Sequence, residues 1–393
     1  MAEGYARLYP QAIEGQLGAR RGRGLALITN NFSTGGAQSS ARRLLVSLRA
    51  RGVPVRAFTL EEQRAHPTAG RTALQAAGIE VHALPPPHLC DAAQAVAELL
   101  EALAADPPAA VVCWNALAEH KLLLADGLLE VPLFDVSPGD MYFASLERSF
   151  ARRRAGLPYL GPRDYGARLA GVIVKYEAEA RRAAEMLGAR VHVVPNGVDV
   201  APAVARQWRS GPLVLGTSAR LHPHKRIEDL IDALRRAAPA LPAHVLRVAG
   251  APDAGCDAHA SQLRERAAGL HVEWLGEVQD PRAFLHDLDA FVLVAEPAGC
   301  PNASLEAMAE GLPVLATDVG GMSEQVEHGV TGWLTAPRDV PALAAAIRDA
   351  ATDRARLVRF GEAGRMRAQR CFGLEAMVES YTRILLGPAG SLR

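Results

Sequence analysis

Residues Phe291–Ala316 read FVLVAEPAGCPNASLEAMAEGLPVLA, and this stretch decides the fold. Phe291–Val294 is a short apolar run that suits a buried strand. Pro297, Gly299 and Pro301 break it with turn chemistry. A helix then runs through Leu305, Glu306 and Met308, ends at Gly311 and is stopped by Pro313. Asn302 or Ser304 is placed to cap its start. A second apolar run, Val314–Ala316, follows at once. Strand, helix and strand in this order form a parallel crossover unit, whose strands are covered on both faces and are apolar without alternation.

The same unit repeats outward in both directions. Upstream lie strands at Leu213–Gly216, Val245–Ala249 and Val272–Leu275, with a helix at Ile227–Arg236. A first series precedes them: Leu25–Thr29, Val53–Phe58, Ala110–Cys113, Pro132–Asp135, Gly171–Val174 and Val191–Val194. The helix Ala37–Ala50 in that series puts Ala41, Leu44, Leu45 and Leu48 on one face. The alternation breaks once, at Pro195-Asn196-Gly197-Val198-Asp199 and the polar stretch to Ser210-Gly211-Pro212. The expected fold class is therefore α/β, with two doubly wound Rossmann-like lobes facing a central cleft. The expected bounds are a mobile tail at 1–21, a first lobe at 22–195, a linker at 196–211, a second lobe at 212–372 and a final segment at 373–393 carrying the helix Leu374–Leu386.

Composition agrees with this and excludes several classes. A chain of 393 residues exceeds the roughly 250–300 that one core supports. Lys+Arg and Asp+Glu both total 43, and a net charge of zero argues against nucleic acid as the main partner. Apolar residues at 49% and charged ones at 22% exclude a disordered chain. No apolar run is long enough to span a bilayer, and the N-terminus lacks the apolar core of a secretory signal. The five cysteines, Cys90, Cys113, Cys256, Cys300 and Cys371, are scattered and odd in number, which suits a reducing cytoplasm.

Open parallel sheets bind ligands at the carboxyl ends of their strands, so the loops there carry the chemistry. After the first strand come Gly35 and Gly36, leading into a helix. They let the backbone approach an anion closely, or they are simply a tight strand–helix turn. Neither the Gly-x-Gly-x-x-Gly fingerprint nor a Walker loop is present. After the first strand of the second lobe, Arg220 and Lys225 offer a planar fork and a point charge suited to a pyrophosphate; a solvated basic loop is the competing reading. Gly299 and the first helical residues Asn302, Ala303 and Ser304 present backbone N–H groups to a phosphate or a sugar hydroxyl. Glu306 can accept hydrogen bonds from a ribose, or it is an ordinary acid near a helix start. Asp140, in Ser137-Pro138-Gly139-Asp140, can contact or deprotonate an acceptor hydroxyl, or it is a turn aspartate. His120 reads as a partly exposed structural histidine. Asp287-Leu288-Asp289 imitates a metal-binding pair but reads as surface and cap, so no metal site is expected. Arg148, Arg152, Arg153 and Arg154 form a basic cluster that suits an anionic acceptor or an anionic membrane surface, although a solvated helix face is the commoner meaning of such a run.

Taken in order, these pieces resemble glycosyltransferase family 4. The residues that carry the likeness are Gly35-Gly36, Pro195-Asn196-Gly197-Val198-Asp199, Arg220-Leu221-x-Pro-x-Lys225, Val272–Gly276, Leu305-Glu306-Ala307-Met308-Ala309-x-Gly311-x-Pro313-Val314, Asp318–Gly321 and Gly329–Leu334. They span roughly residues 24–386. The resemblance implies a GT-B fold and a retaining transfer from a UDP- or GDP-sugar to an acceptor hydroxyl on a glycan, lipid-linked or small-metabolite acceptor, with no cofactor and no divalent metal. It implies that Arg220 and Lys225 hold the donor diphosphate, that Glu306 contacts the ribose, and that backbone near Val278 lies by the base. It aligns Asn115 with a position where many relatives carry a catalytic histidine. The final helix is implied to return to the first lobe. One departure stands out: where the family carries a first glutamate, this chain has Ala298, with Glu296 two residues before it. Two further readings follow, a nucleotide-sugar epimerase of the same shape and a nucleotide-sugar binding protein of weakened activity. The localisation expected is cytoplasmic, with peripheral contact at the inner face of a membrane through the arginine cluster.

Overall fold

The computed structural model describes residues 22–151, 159, 161–201, 208 and 211–387, with only the backbone of Asp140. The expected tail, Arg152, Arg153 and Arg154, and most of 202–210 in the expected linker lie outside the described residues. The chain divides into two units. One reaches Pro195 and takes up the stretch from Met377 onward; the other is Asn196–Ala376.

In the first unit the strands are β1 (Leu25–Thr29), β2 (Val55–Thr59), β3 (Glu80–Ala83), β4 (Ala110–Trp114), β5 (Leu133–Val136), β6 (Gly171–Val174) and β7 (Val191–Val193). They form one seven-stranded sheet in the order β3-β2-β1-β4-β5-β6-β7, every pair parallel. β1, β4, β5 and β6 are buried at every position, as strands covered on both faces must be. β3 sits at the edge, where burial alternates, and this is why no continuous apolar run announces it.

The second unit holds β8 (Leu213–Ser218), β9 (His244–Ala249), β10 (Val272–Gly276), β11 (Ala290–Leu293), β12 (Val314–Thr317) and β13 (Gly332–Thr335). Their order is β10-β9-β8-β11-β12-β13, again all parallel. Period-two alternation splits the core between the two faces of this sheet. Val292, Val294 and Leu315 pack on one side with helix Ile227–Ala237. Phe291, Leu293, Val314 and Ala316 pack on the other with helix Asn302–Ala309.

Both sheets reverse direction at the same point in their winding. The chain runs outward from β1 to β3 and then returns to β4; it runs from β8 to β10 and returns to β11. The loops after β1 and β4, and those after β8 and β11, therefore leave at a topological switch point, where open α/β sheets bind ligands.

The chain passes between the units twice, and the two passages are paired. Val198 N–H donates to Phe372 O at 2.8 Å, and Leu374 N–H donates to Val198 O at 2.9 Å. Helix Leu374–Leu386 then buries Met377, Val378, Tyr381, Thr382 and Leu385. Tyr381 OH accepts from Lys175 Nζ at 2.7 Å in the first unit.

Two expectations need correction here. Asp289 is buried, not at the surface: it accepts from Val214 N–H at 2.8 Å and pairs with Arg354 at 2.7 Å. His120 is also buried, with both ring nitrogens unpartnered among the described residues. Burial, opposed by Glu119, lowers its pKa and keeps the ring neutral.

The first core encloses an ion pair between Lys121 and Asp135. Lys121 Nζ donates to Asp135 Oδ2 at 2.9 Å, and the hydroxyls of Tyr142 and Tyr165 donate to the same oxygen at 2.7 Å each. Burial, with the neighbouring Asp135 charge, raises both tyrosine pKa values, so they remain donors. Lys121→Met leaves that carboxylate without its cation. Urea unfolding should show a loss of about 3 kcal/mol, and Lys121→Met combined with Asp135→Asn, which keeps an acceptor for both tyrosines, should recover much of it. An unchanged midpoint for the single variant would refute the role given to the pair.

Candidate functional site

In the second unit the loop after β8 is shaped by a close backbone approach. Gly250, just past β9, has φ +141°, and a Cβ there would overlap Ala219 O. Leu221 N–H donates to Ala251 O at 2.9 Å, fixing the segment that presents Arg220. The guanidinium of Arg220 is ion-paired with Asp253. Burial pushes the Asp253 carboxyl up, but the hydrogen bond and charge of Arg220 outweigh it and hold it below the usual value.

A 3-10 turn, Pro223–Lys225, follows. His222 caps it, its Nδ1 accepting from His224 N–H at 3.1 Å. Arg226 then takes a left-handed conformation, φ 50°, and its guanidinium forks onto Asp229 at 2.9 and 2.8 Å. The charge of Arg226 is thus consumed locally. Lys225 differs: it is half-buried, and its ammonium makes no hydrogen bond or ion pair with the described residues. Burial lowers its pKa, the Arg220 charge lowers it further, and Asp253 opposes both. A cation in that state is stabilised by an incoming anion.

The loop after β11 is tied to this turn, because Glu296 N–H donates to His224 O at 2.9 Å. Asn196 Nδ2 donates to Cys300 O at 2.7 Å, so the Pro195-Asn196-Gly197 turn anchors the same loop. Gly320, φ +59°, lies so close that a Cβ would overlap Ala298 O. Helix Asn302–Ala309 starts with Pro301 as its cap and no side-chain capping bond. This corrects the expectation that Asn302 or Ser304 would cap it. Asn302 is already helical, and Ser304 is buried, with Oγ 2.5 Å from Gln325 Oε1 and 3.0 Å from Pro301 O. What the first turn offers a ligand is backbone N–H, from Ala303 and Ser304. Glu306 is half-buried on the next turn, and Val278 packs against the core under this helix. Ala298 is buried, and the Glu296 carboxylate is held by Arg338 at 2.5 Å.

In the first unit the loop after β1 is built as firmly. Phe32 N–H donates to the buried Glu62 at 2.6 Å, and Arg42 donates to the carbonyls of Phe32 and Ser33 at 3.0 and 3.1 Å. Gly35 caps helix Gly36–Ala50 in an extended conformation and without a side-chain capping bond. Trp114, the last residue of β4, donates from Nε1 to Ala37 O at 2.9 Å. Its ring lies 4.3 Å from Lys175 Nζ and 5.3 Å from the Tyr381 ring. Asn115 follows with φ 53° and no side-chain hydrogen bond among the described residues. A non-glycine residue in that region at a switch-point loop marks a site whose backbone is dictated by its surroundings. Asp140 opens helix Asp140–Ala151, and its side chain lies outside the described residues. Arg148 is exposed on that helix.

Of the sequence candidates, Arg220, Lys225, Gly299 and the start of helix Asn302–Ala309 come together at the β8/β11 switch point, with Glu306 one turn along. Gly35, Gly36 and Asn115 come together at β1/β4. Asp253, Trp114 and Lys175 were not singled out. A strand-end rule applied to every strand would have found them, since each stands at or just beyond the carboxyl end of β9, β4 or β6.

Residues 35–197 match the glycosyl transferase 4-like domain, and residues 212–353 match the glycosyl transferases group 1 domain. The chain belongs to glycosyltransferase family 4. Glycogen synthase of Mycobacterium tuberculosis is 34% identical over 204 residues, covering 50% of this chain and 49% of that protein. Phosphatidyl-myo-inositol mannosyltransferase of Mycobacterium leprae is 31% identical over 195 residues, covering 47% and 50%. The matched stretch thus spans about half the length of these curated relatives. Among solved structures, the Anabaena protein HepE in complex with UDP and glucose superposes with TM-score 0.74 at 20% identity, over 94% of this chain and all of that one. At that identity the likeness establishes the GT-B fold.

Gly320→Ala tests the packing behind the helix start. The added Cβ must displace the Ala298 carbonyl and strain a left-handed backbone, so the second unit should lose about 2 kcal/mol or more in thermal or denaturant unfolding. A variant as stable as the parent would show that the Ala298 loop is not fixed as described.

Proposed function

We propose that this chain moves a sugar from a UDP- or GDP-linked donor to an acceptor hydroxyl, with retention at the transferred carbon. The observation that carries the reading is Lys225, an ammonium that makes no ion pair with the described residues, beside Arg220 at the β8/β11 switch point. Cleavage of the donor bond leaves a nucleoside diphosphate bearing new negative charge. Fixed cations stabilise that charge as it develops and need little reorganisation at that moment. Arg220 supplies a planar fork, Lys225 a point charge, and the uncapped helix start at Asn302–Ser304 supplies N–H dipoles. Glu306 suits the ribose hydroxyls and the Val278 backbone the base. HepE, solved with UDP and with UDP-glucose, supports a uridine donor; the mannosyltransferase relative keeps a mannosyl donor in view.

The first unit takes the acceptor in this reading, with Gly35-Gly36 near the donor phosphates or acceptor and Asn115 and Asp140 toward the acceptor hydroxyl. Arg148, with Arg152–Arg154, is assigned to an anionic acceptor or the anionic inner surface of a membrane, and the protein to the cytoplasm. No helix among the described residues is long and apolar enough to cross a membrane. Co-sedimentation with anionic but not neutral vesicles is the expected result; equal behaviour with both would remove the membrane assignment.

A second reading, binding of a nucleotide sugar without efficient transfer, is favoured by one observation. Ala298 occupies the acid's place, and Glu296 is committed to Arg338. Tight donor binding with neither hydrolysis nor transfer would decide for it.

Arg220→Ala and Lys225→Ala should each weaken UDP binding by about 10- to 100-fold in calorimetry while leaving unfolding unchanged, as expected for charged hydrogen bonds at a loop. Unaltered affinity in both would remove the diphosphate role. Lys225 adds a pH signature. Its pKa is lowered in the empty site, and a bound anion favours the charged form. Binding therefore takes up a proton wherever the empty site has lost one, and UDP affinity should fall as pH rises through the lowered value. Over about pH 7 to 10, Lys225→Arg should flatten that fall, because a guanidinium stays charged.

A further inference from the structure

His222 lies between the two cations in sequence, and its chemistry is fixed by one backbone bond. The donor in that bond is the N–H of His224, and an amide N–H can only donate. Nδ1 of His222 must therefore be the bare nitrogen, and in the neutral ring the proton sits on Nε2. Protonating Nδ1 would break the bond that caps the Pro223–Lys225 turn. Nε2–H makes no hydrogen bond with the described residues, and the side chain is half-buried. The charged and titratable groups around the ring all bear on its state. Arg220 and His224, from its own loop, disfavour a positive charge, as does His259 from helix Asp257–Arg266. Asp253, after β9, favours one. Burial is the largest influence, and the balance lowers the pKa. The His224 ring stacks on it at 4.7 Å and limits its rotation.

We propose that His222 is a third ligand of the diphosphate, giving a neutral Nε2–H hydrogen bond beside the charges of Arg220 and Lys225. This rests on the reading of that loop as a diphosphate site. A neutral donor adds directionality without adding to the repulsion that two cations already exert on each other in the empty site. It also works unchanged across physiological pH, because the turn bond holds the tautomer.

Asparagine separates the two jobs of the ring. In His222→Asn the side-chain oxygen can still accept from the residue 224 N–H and cap the turn, while the donor at the Nε2 position is lost, because the shorter side-chain amide does not reach it. Titration of UDP and of inorganic pyrophosphate into the protein should show both bound about tenfold more weakly by His222→Asn, with an unchanged melting temperature. The loss should be the same at about pH 6 and pH 8, either side of the usual imidazole titration. In the parent protein, nitrogen NMR of labelled histidine should show the Nε2–H tautomer and a shift of that resonance on adding UDP. Binding of both probes by His222→Asn as by the parent, or a defect confined to the lower pH, would overturn the proposal while leaving Arg220 and Lys225 as the diphosphate ligands. A parent protein that binds neither probe would overturn the diphosphate reading itself, and His222's part with it.

Discussion

An ammonium held half out of water, with no ion pair among the described residues, is the constraint on which the second unit turns. At the effective dielectric of a protein surface, two unit charges about 4 Å apart interact by about 4 kcal/mol, enough to shape a local structure. The fold answers for Arg226 with Asp229 and for Arg220 with Asp253, and among the described residues it gives Lys225 no ion pair. Folding alone gains nothing from that arrangement, since a solvated lysine would be cheaper. Its benefit comes only when an anion arrives. The lowered pKa of Lys225 is the same fact seen from the proton's side.

The scaffold that allows this is the reversal of strand order. Because every strand in the sheet is parallel, all carboxyl ends face one way, and the order reversal parts the loops of β8 and β11. Two glycines set its walls: Gly250 lets the β9 loop press against Ala219, and Gly320 lets the segment after β12 press against Ala298. The single bond from Glu296 N–H to His224 O keeps the two loops in step. In the first unit Trp114 performs a comparable task with a side chain. Its indole joins the glycine loop through Ala37, the β6 end through Lys175 and the final helix through Tyr381.

How much of this was legible depended on whether a signal was local. Leu25–Thr29, Gly171–Val174 and the helix Leu374–Leu386 appear with the bounds read from sequence, because a continuous apolar run or a strong helical period needs no partner to be recognised. β3 and β13 were missed: both are four-residue edge strands with incompletely buried faces, and their pairing is decided by the neighbouring strand. The cap of helix Asn302–Ala309 was misjudged because Ser304 meets Gln325, which is remote in sequence. His120 and Asp289 were placed too near the surface for the same reason, since burial of a polar residue is settled by tertiary neighbours. The pair Arg220 and Lys225 was legible as residue type and spacing, but its asymmetry was not. That one cation is paired and the other is not follows from Asp253, which comes from a different strand end.

The absence of an acid at Ala298 bears on the sugar rather than on the leaving group. In the proposed reaction, bond cleavage is helped by groups that meet charge growing on the diphosphate, a part given to Arg220, Lys225 and the helix start. A carboxylate on the β11 loop would instead orient hydroxyls of the transferred ring. With Glu296 drawn to Arg338 and Ala298 buried in the core, that loop offers the ring no unengaged carboxylate among the described residues. Hydrophobic walls discriminate weakly against an added or missing hydroxyl, whereas a fixed carboxylate rejects a ring that cannot bond to it. On the proposed reading, the missing acid relaxes selection among donor sugars before it weakens the electrostatics of cleavage, because different strand ends carry the two properties.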